Sequence, residues 1–199
     1  MYIANVGDSE AVYLSLPPLL RYGLTFLSAS SKVLAKRQKE GGYKAECVSV
    51  KHKPTEKNEK ERIRNAGGHV VFGRVFGDLA VCHLLFIVSK YLTPSPSHPK
   101  VSRSLGDPDY KKPISDADYI SAEPHVGTYE LSHLDDDFLI LACDGVWDVL
   151  TYQHATELVG TSRDDGCSPE ECARTLVQTA LNKGSKDNIT AVIVFFNWF

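Results

Sequence analysis

Paired cysteines are missing from this sequence. The five cysteines, Cys47, Cys82, Cys143, Cys167 and Cys172, are odd in number and form no Cys-x-x-Cys. That excludes a zinc ribbon or a disulfide scaffold and points to a reducing compartment, cytoplasmic or nuclear. Long hydrophobic runs are missing as well. The run at 84–88 (LLFIV) is far too short to cross a bilayer, and the opening MYIANVGDSEAV carries no basic-then-apolar leader. No membrane association is expected. Positive charge is not in excess, since 22 Lys and Arg stand against 25 Asp and Glu for a net charge of −3. Nucleic-acid binding through bulk charge is therefore disfavoured. There is no His-rich tract, no internal repeat and no heptad pattern. What remains is a composition of 43% apolar, 24% charged and 10% aromatic residues over 199 positions. This suits a globular monomer with one domain of ordinary size.

Periodicity and caps predict a mixture of helices and strands. A helix is expected within 55–66, where Asn58 with Glu61 reads as a capping box and Gly67 as the stop. A second is expected over 169–182, with Ser168 at the N-cap, Pro169 at the first helical position and Glu171 completing Ser-x-x-Glu. Its apolar face would hold Ala173, Leu176, Val177, Ala180 and Leu181. A shorter helix fits 152–159. Strands are expected at 2–6, 45–50, 69–72, 138–143 and 189–196. The runs at 138–143 and 189–196 are almost continuously apolar, which suggests strands covered on both faces. A strand at 2–6, one residue after Met1, suits either chain that continues upstream or a terminal strand tied into a sheet.

Two segments differ from the rest. Residues 13–33 and 82–100 together hold 40 residues, none of the 25 acidic ones and five of the ten prolines. They read either as long surface loops of skewed composition or as insertions.

Three carboxylates sit at strand ends. Residues 3–7 lead to Asp8, residues 139–143 lead to Asp144-Gly145, and Asp187-Asn188 immediately precedes the run from Ile189. A carboxylate at a strand edge is held firmly yet reaches solvent, and several together form an oxygen site suited to Mg²⁺ or Mn²⁺. Taken singly, each is also an ordinary turn: Asp-Gly after a strand commonly is, and Asp187-Asn188 could be a cap.

The order and content of several motifs resemble the PP2C, or PPM-type, metal-dependent Ser/Thr protein phosphatases. The matching stretches are ANVGDSEAV (4–12), KHKPTEKNEKERIRNAGGHV (51–70), GRVFGDLAV (73–81), VSRSLGDPDYK (101–111), SAEPHV (121–126), DDDFLILACDGVWDVLT (135–151) and GSKDNITAVIVFF (184–196). The resemblance implies an α+β fold, a four-layer α/β/β/α sandwich, incomplete over 1–199. It implies two Mg²⁺ or Mn²⁺ ions per complete site, with Asp144 and Asp187 as metal ligands and Asp8 associated with an additional, weaker metal. Asn188 would shape the turn that presents Asp187, and SRSLGD (102–107) would border the active-site end. The implied reaction is hydrolysis of phosphoserine and phosphothreonine in phosphoprotein substrates by metal-activated water, with no catalytic residue separate from the metal ligands. Cys143 is then expected to be a buried strand cysteine, because no Cys-x5-Arg phosphate cradle follows it.

The sequence also departs from the family pattern. No DGHGG motif, whose Asp bridges the two metals in the family, occurs in residues 1–199. The upstream third of the family domain is thus expected to be absent. Glu10 stands where Arg is usual, and Lys51 where Asp is usual. Removing 13–33 and 82–100 restores family-like runs, which favours insertions of intron or mis-joined-exon origin. An alternative function follows from these departures: a catalytically impaired phosphatase-like protein that binds a metal or a partner.

Overall fold

The computed structural model describes residues 1–6, 31–76 and 99–196. Asp8 and nearly all of the two atypical segments lie outside the described residues. The chain divides into two compact units. The described part of the first holds residues 1–5, 31–50 and 125–196; that of the second holds residues 6, 51–76 and 99–124.

The first unit is built on four strands, β2 (Ser31–Arg37), β3 (Tyr43–Cys47), β7 (Asp136–Ala142) and β8 (Ala191–Phe195). They form an antiparallel sheet in the order β3-β2-β7-β8. β2 takes in residues 31–33, the end of the first atypical segment, and Val33 there is fully buried. β7 lies inside the sheet and is the more buried of the two strands that carry the apolar runs. Residues 138–142 are all buried, as expected for a run with no polar alternation. Phe138, Ile140 and Ala142 face one cluster, where α3 (Tyr152–Asp164) and α4 (Pro169–Asn182) supply Ala155, Val159, Cys172, Leu176 and Ala180. Leu139 and Leu141 face a second cluster with Leu34, Val48 and Phe196. β1 (Tyr2–Asn5) pairs with β6 (His125–Thr128) as a separate antiparallel two-stranded sheet.

The second unit holds α1 (Lys57–Asn65) and the hairpin of β4 (His69–Val71) and β5 (Arg74–Phe76). Its small apolar cluster is Ile63, Val75, Tyr119 and Ile120.

The α+β class expected from the sequence is the one found. Several local expectations shift. α4 has the foreseen bounds and capping box, with Glu171 N donating to Ser168 Oγ and Ser168 N to the Glu171 carboxylate. Its buried stripe is Cys172, Leu176 and Ala180 rather than the face that included Leu181, which is 54% exposed. The capping box foreseen at Asn58 and Glu61 does not form: α1 starts after Glu56, with no side-chain cap. Gly67 does end that helix region, at φ 89°, a conformation glycine adopts without steric cost. α3 runs five residues past the expected end at 159. β6 is a strand that the sequence pattern does not announce, since HVGT presents no clear apolar face.

Candidate functional site

One strand pair brings into contact the two loops that carry two of the three expected carboxylates. β7 ends at Ala142, and the chain turns at Cys143 (φ −77°, ψ 173°) into the short helix α2 (Asp144–Trp147). Trp147 fixes that turn: its Nε1 donates to Ala142 O at 2.8 Å, and its ring meets Tyr152 edge-on with centroids 4.9 Å apart. In the β7–β8 ladder Ala142 stands opposite Ala191. Antiparallel pairing therefore places the residues just before β8 beside those just after β7. Asp187-Asn188 and Asp144-Gly145 are those residues.

The two loops touch through their backbones. Cys143 N donates to Thr190 O at 3.1 Å. A Cβ at position 145 would stand 2.2 Å from Asn188 O, so only glycine permits this approach. Two side chains add to the contact. The Cys143 thiol donates to Asn188 O at 3.0 Å and accepts from Thr190 N at 3.1 Å. Ser185 Oγ donates to Gly145 O at 2.6 Å. Cys143 is accordingly not a buried strand residue as expected. It is half-buried, one position past β7.

Asp144 and Asp187 are both exposed. One oxygen of each accepts from the next N–H, Gly145 N at 3.0 Å and Asn188 N at 2.7 Å. Exposed carboxylates on two abutting loops match the donor chemistry of a hard divalent cation. They fit as part of a coordination shell, not the whole of one. Among the described residues, no group of three or more His, Cys, Asp and Glu stands together to hold a metal. Asp8, the third expected ligand, lies outside the described residues.

SRSLGD lies in the second unit, where a buried ion cluster holds it. Glu59 on α1 is buried. Its Oε1 accepts from Arg103 Nη2 at 2.6 Å and Nε at 3.1 Å. Its Oε2 accepts from Arg62 Nη2 at 3.2 Å. Arg62 also donates to Ser102 O at 2.7 Å and Tyr119 O at 3.2 Å, and Arg103 to Glu123 O at 2.9 Å. Burial by itself would raise the Glu59 carboxyl, but the Arg103 hydrogen bonds and the two guanidinium charges outweigh it and hold the group below its ordinary value. Farther along, Asp107 adopts a left-handed conformation (φ 59°) and accepts from Ser104 Oγ at 2.7 Å, while Lys111 Nζ donates to Ser104 O at 2.6 Å. Nothing in the sequence alone marks Glu59 as buried. Cys143 and Ser185 escape sequence reasoning as loop contacts because their partners lie about 40 or more positions away.

A family model described as "Protein phosphatase 2C" matches residues 30–189, a span that includes Asp144 and Asp187. Protein spalten of Dictyostelium discoideum is 33% identical over 198 residues, covering 100% of this chain and 16% of that protein. Protein phosphatase 1B of Mus musculus is 34% identical over 201 residues, covering 99% of this chain and 39% of its own length. Among solved structures, serine-threonine phosphatase 2C from Toxoplasma gondii aligns with a TM-score of 0.64 and 29% identity, over 84% of this chain and 52% of that one. The chain thus spans two fifths or less of these two curated relatives. On the strength of the match over 30–189, the chain belongs to the protein phosphatase 2C family.

Proposed function

We propose that this chain contributes to hydrolysis of phosphoserine and phosphothreonine in proteins, with Asp144 and Asp187 as ligands of Mg²⁺ or Mn²⁺. The supporting observation is the contact between the Asp144-Gly145 turn and the Asp187-Asn188 loop, which leaves both carboxylates exposed at one end of the β7–β8 pair. A divalent cation bound there would acidify a water and offset charge on the phosphoryl group. The part of the chain itself is to hold the two carboxylates on rigid loops, one anchored by the Trp147 hydrogen bond to β7 and the other by the ladder into β8. Asp8 is the further ligand candidate. The four described cysteines are free thiols, which suits a cytoplasmic or nuclear location. No described helix is long and apolar enough to cross a membrane.

A second reading is a metal- or partner-binding phosphatase-like protein without turnover. It rests on the same exposed carboxylate pair, which supplies part of a coordination shell. Hydrolysis of an aryl phosphate by the full chain with Mn²⁺ separates the two. We expect turnover that Asp144→Asn or Asp187→Asn abolishes. Turnover unchanged by both substitutions would overturn the assignment, and Mn²⁺ binding with no turnover would support the second reading.

A further inference from the structure

We infer that Cys143 and Ser185 are positioning residues that set the spacing between the Asp144 and Asp187 carboxylates. The inference rests on the reading of that pair as metal ligands. The β7–β8 ladder ends at Ala142 opposite Ala191. Beyond it, the backbone bond from Cys143 N to Thr190 O continues the pairing by one step. Asp187 lies three residues farther out, where an unsupported loop would splay. Side chains bracket it instead. Ser185, two positions before Asp187, reaches Gly145 O, one position after Asp144. The Cys143 thiol, one position before Asp144, donates to Asn188 O and accepts from Thr190 N, on either side of Ile189.

Each carboxylate is thus pinned through neighbours on the opposite loop, and Gly145 allows the close approach that these bonds need. The chemistry asked of position 143 is a small group that both donates and accepts. A hydroxyl can do this and a methyl cannot. Groups that orient ligands without touching the metal commonly change its affinity by about 10- to 100-fold when removed.

The test is Mn²⁺ binding to the full chain by calorimetry, with amide exchange as a second readout. Cys143→Ala and Ser185→Ala should each weaken Mn²⁺ binding by about 10- to 100-fold. Cys143→Ser should restore most of the affinity, and Asp144→Asn combined with Asp187→Asn should abolish it. Without metal, Cys143→Ala should speed exchange at the Thr190 amide while exchange across β2 stays as in the wild type, which also reports that the variant is folded. If Cys143→Ala and Ser185→Ala bind Mn²⁺ as tightly as the wild type while the double carboxylate variant does not bind, the positioning inference fails and the ligand reading stands. If the wild type does not bind Mn²⁺, or the double carboxylate variant binds like the wild type, the ligand reading fails and this inference falls with it.

Discussion

The two units solve the same problem, holding a loop in place, by opposite means. In the first unit, β7 buries five consecutive apolar residues, 138–142, between two clusters. In the second, α1 buries the Glu59 carboxylate against Arg62 and Arg103, which in turn grip the backbone at Ser102, Tyr119 and Glu123. Apolar burial has no direction, so it tolerates swaps that conserve volume. A buried carboxylate with two cations is directional, and removing the carboxylate leaves two partly buried guanidinium groups without their counter-charge. The hold on β7 therefore depends on shape, and the hold around Glu59 on charge.

The largest effect should come from the apolar side. Phe138→Ala removes a fully buried ring that meets Tyr43 at 5.3 Å and Phe195 at 6.1 Å. It should cost about 3–5 kcal/mol in denaturant unfolding, while Phe138→Leu should cost much less. Glu59→Ala should follow at about 3 kcal/mol, since it strands two partly buried guanidinium groups. A cost near zero would show that the cluster is solvated and the contrast unfounded. Acid titration separates charge from shape in another way. Because the folded Glu59 carboxyl lies below its ordinary value of 4.5, its contribution is complete above that value and is lost as pH falls through the folded one. The wild type should therefore lose more stability than Glu59→Gln on acidification below about pH 4.5. The smallest effect is expected at a surface cap: Ser168→Ala should cost about 1 kcal/mol in a thermal or denaturant melt.

Legibility in the sequence follows the same division. β7 is readable because an apolar run with no polar alternation can only be a strand or helix covered on every side, and this run is too short for a helix. α4 is readable because Ser168, Pro169 and Glu171 fix its start through local bonds. The contact between the Asp144-Gly145 turn and the Asp187-Asn188 loop is partly readable, since one motif closes an apolar run and the other opens the next. Burial of Glu59 is not readable: nothing in TEKNEKERIRNA distinguishes it from the exposed charges beside it, and its partner Arg103 is 44 positions away. The missing cap at Asn58 shows the limit of local signals, because α1 begins before that motif could start it. The thiol of Cys143 is invisible for a different reason. Its role depends on where β8 brings Asn188 and Thr190, which no spacing encodes.

The two-sided burial of β7 leaves its alignment to be set at its ends. In a strand with one wet face, sliding by a single residue turns oil toward water and is penalised at once. Along residues 138–142 β7 lacks that safeguard, because either frame would keep apolar atoms inside. The frame must then be fixed by bookends. At one end Arg37 bonds Asp137 at 3.0 Å, and at the other the place of Gly145 against Asn188 admits no larger residue. The glycine that lets the two carboxylate loops meet thus also acts as a stop that keeps the central strand from sliding.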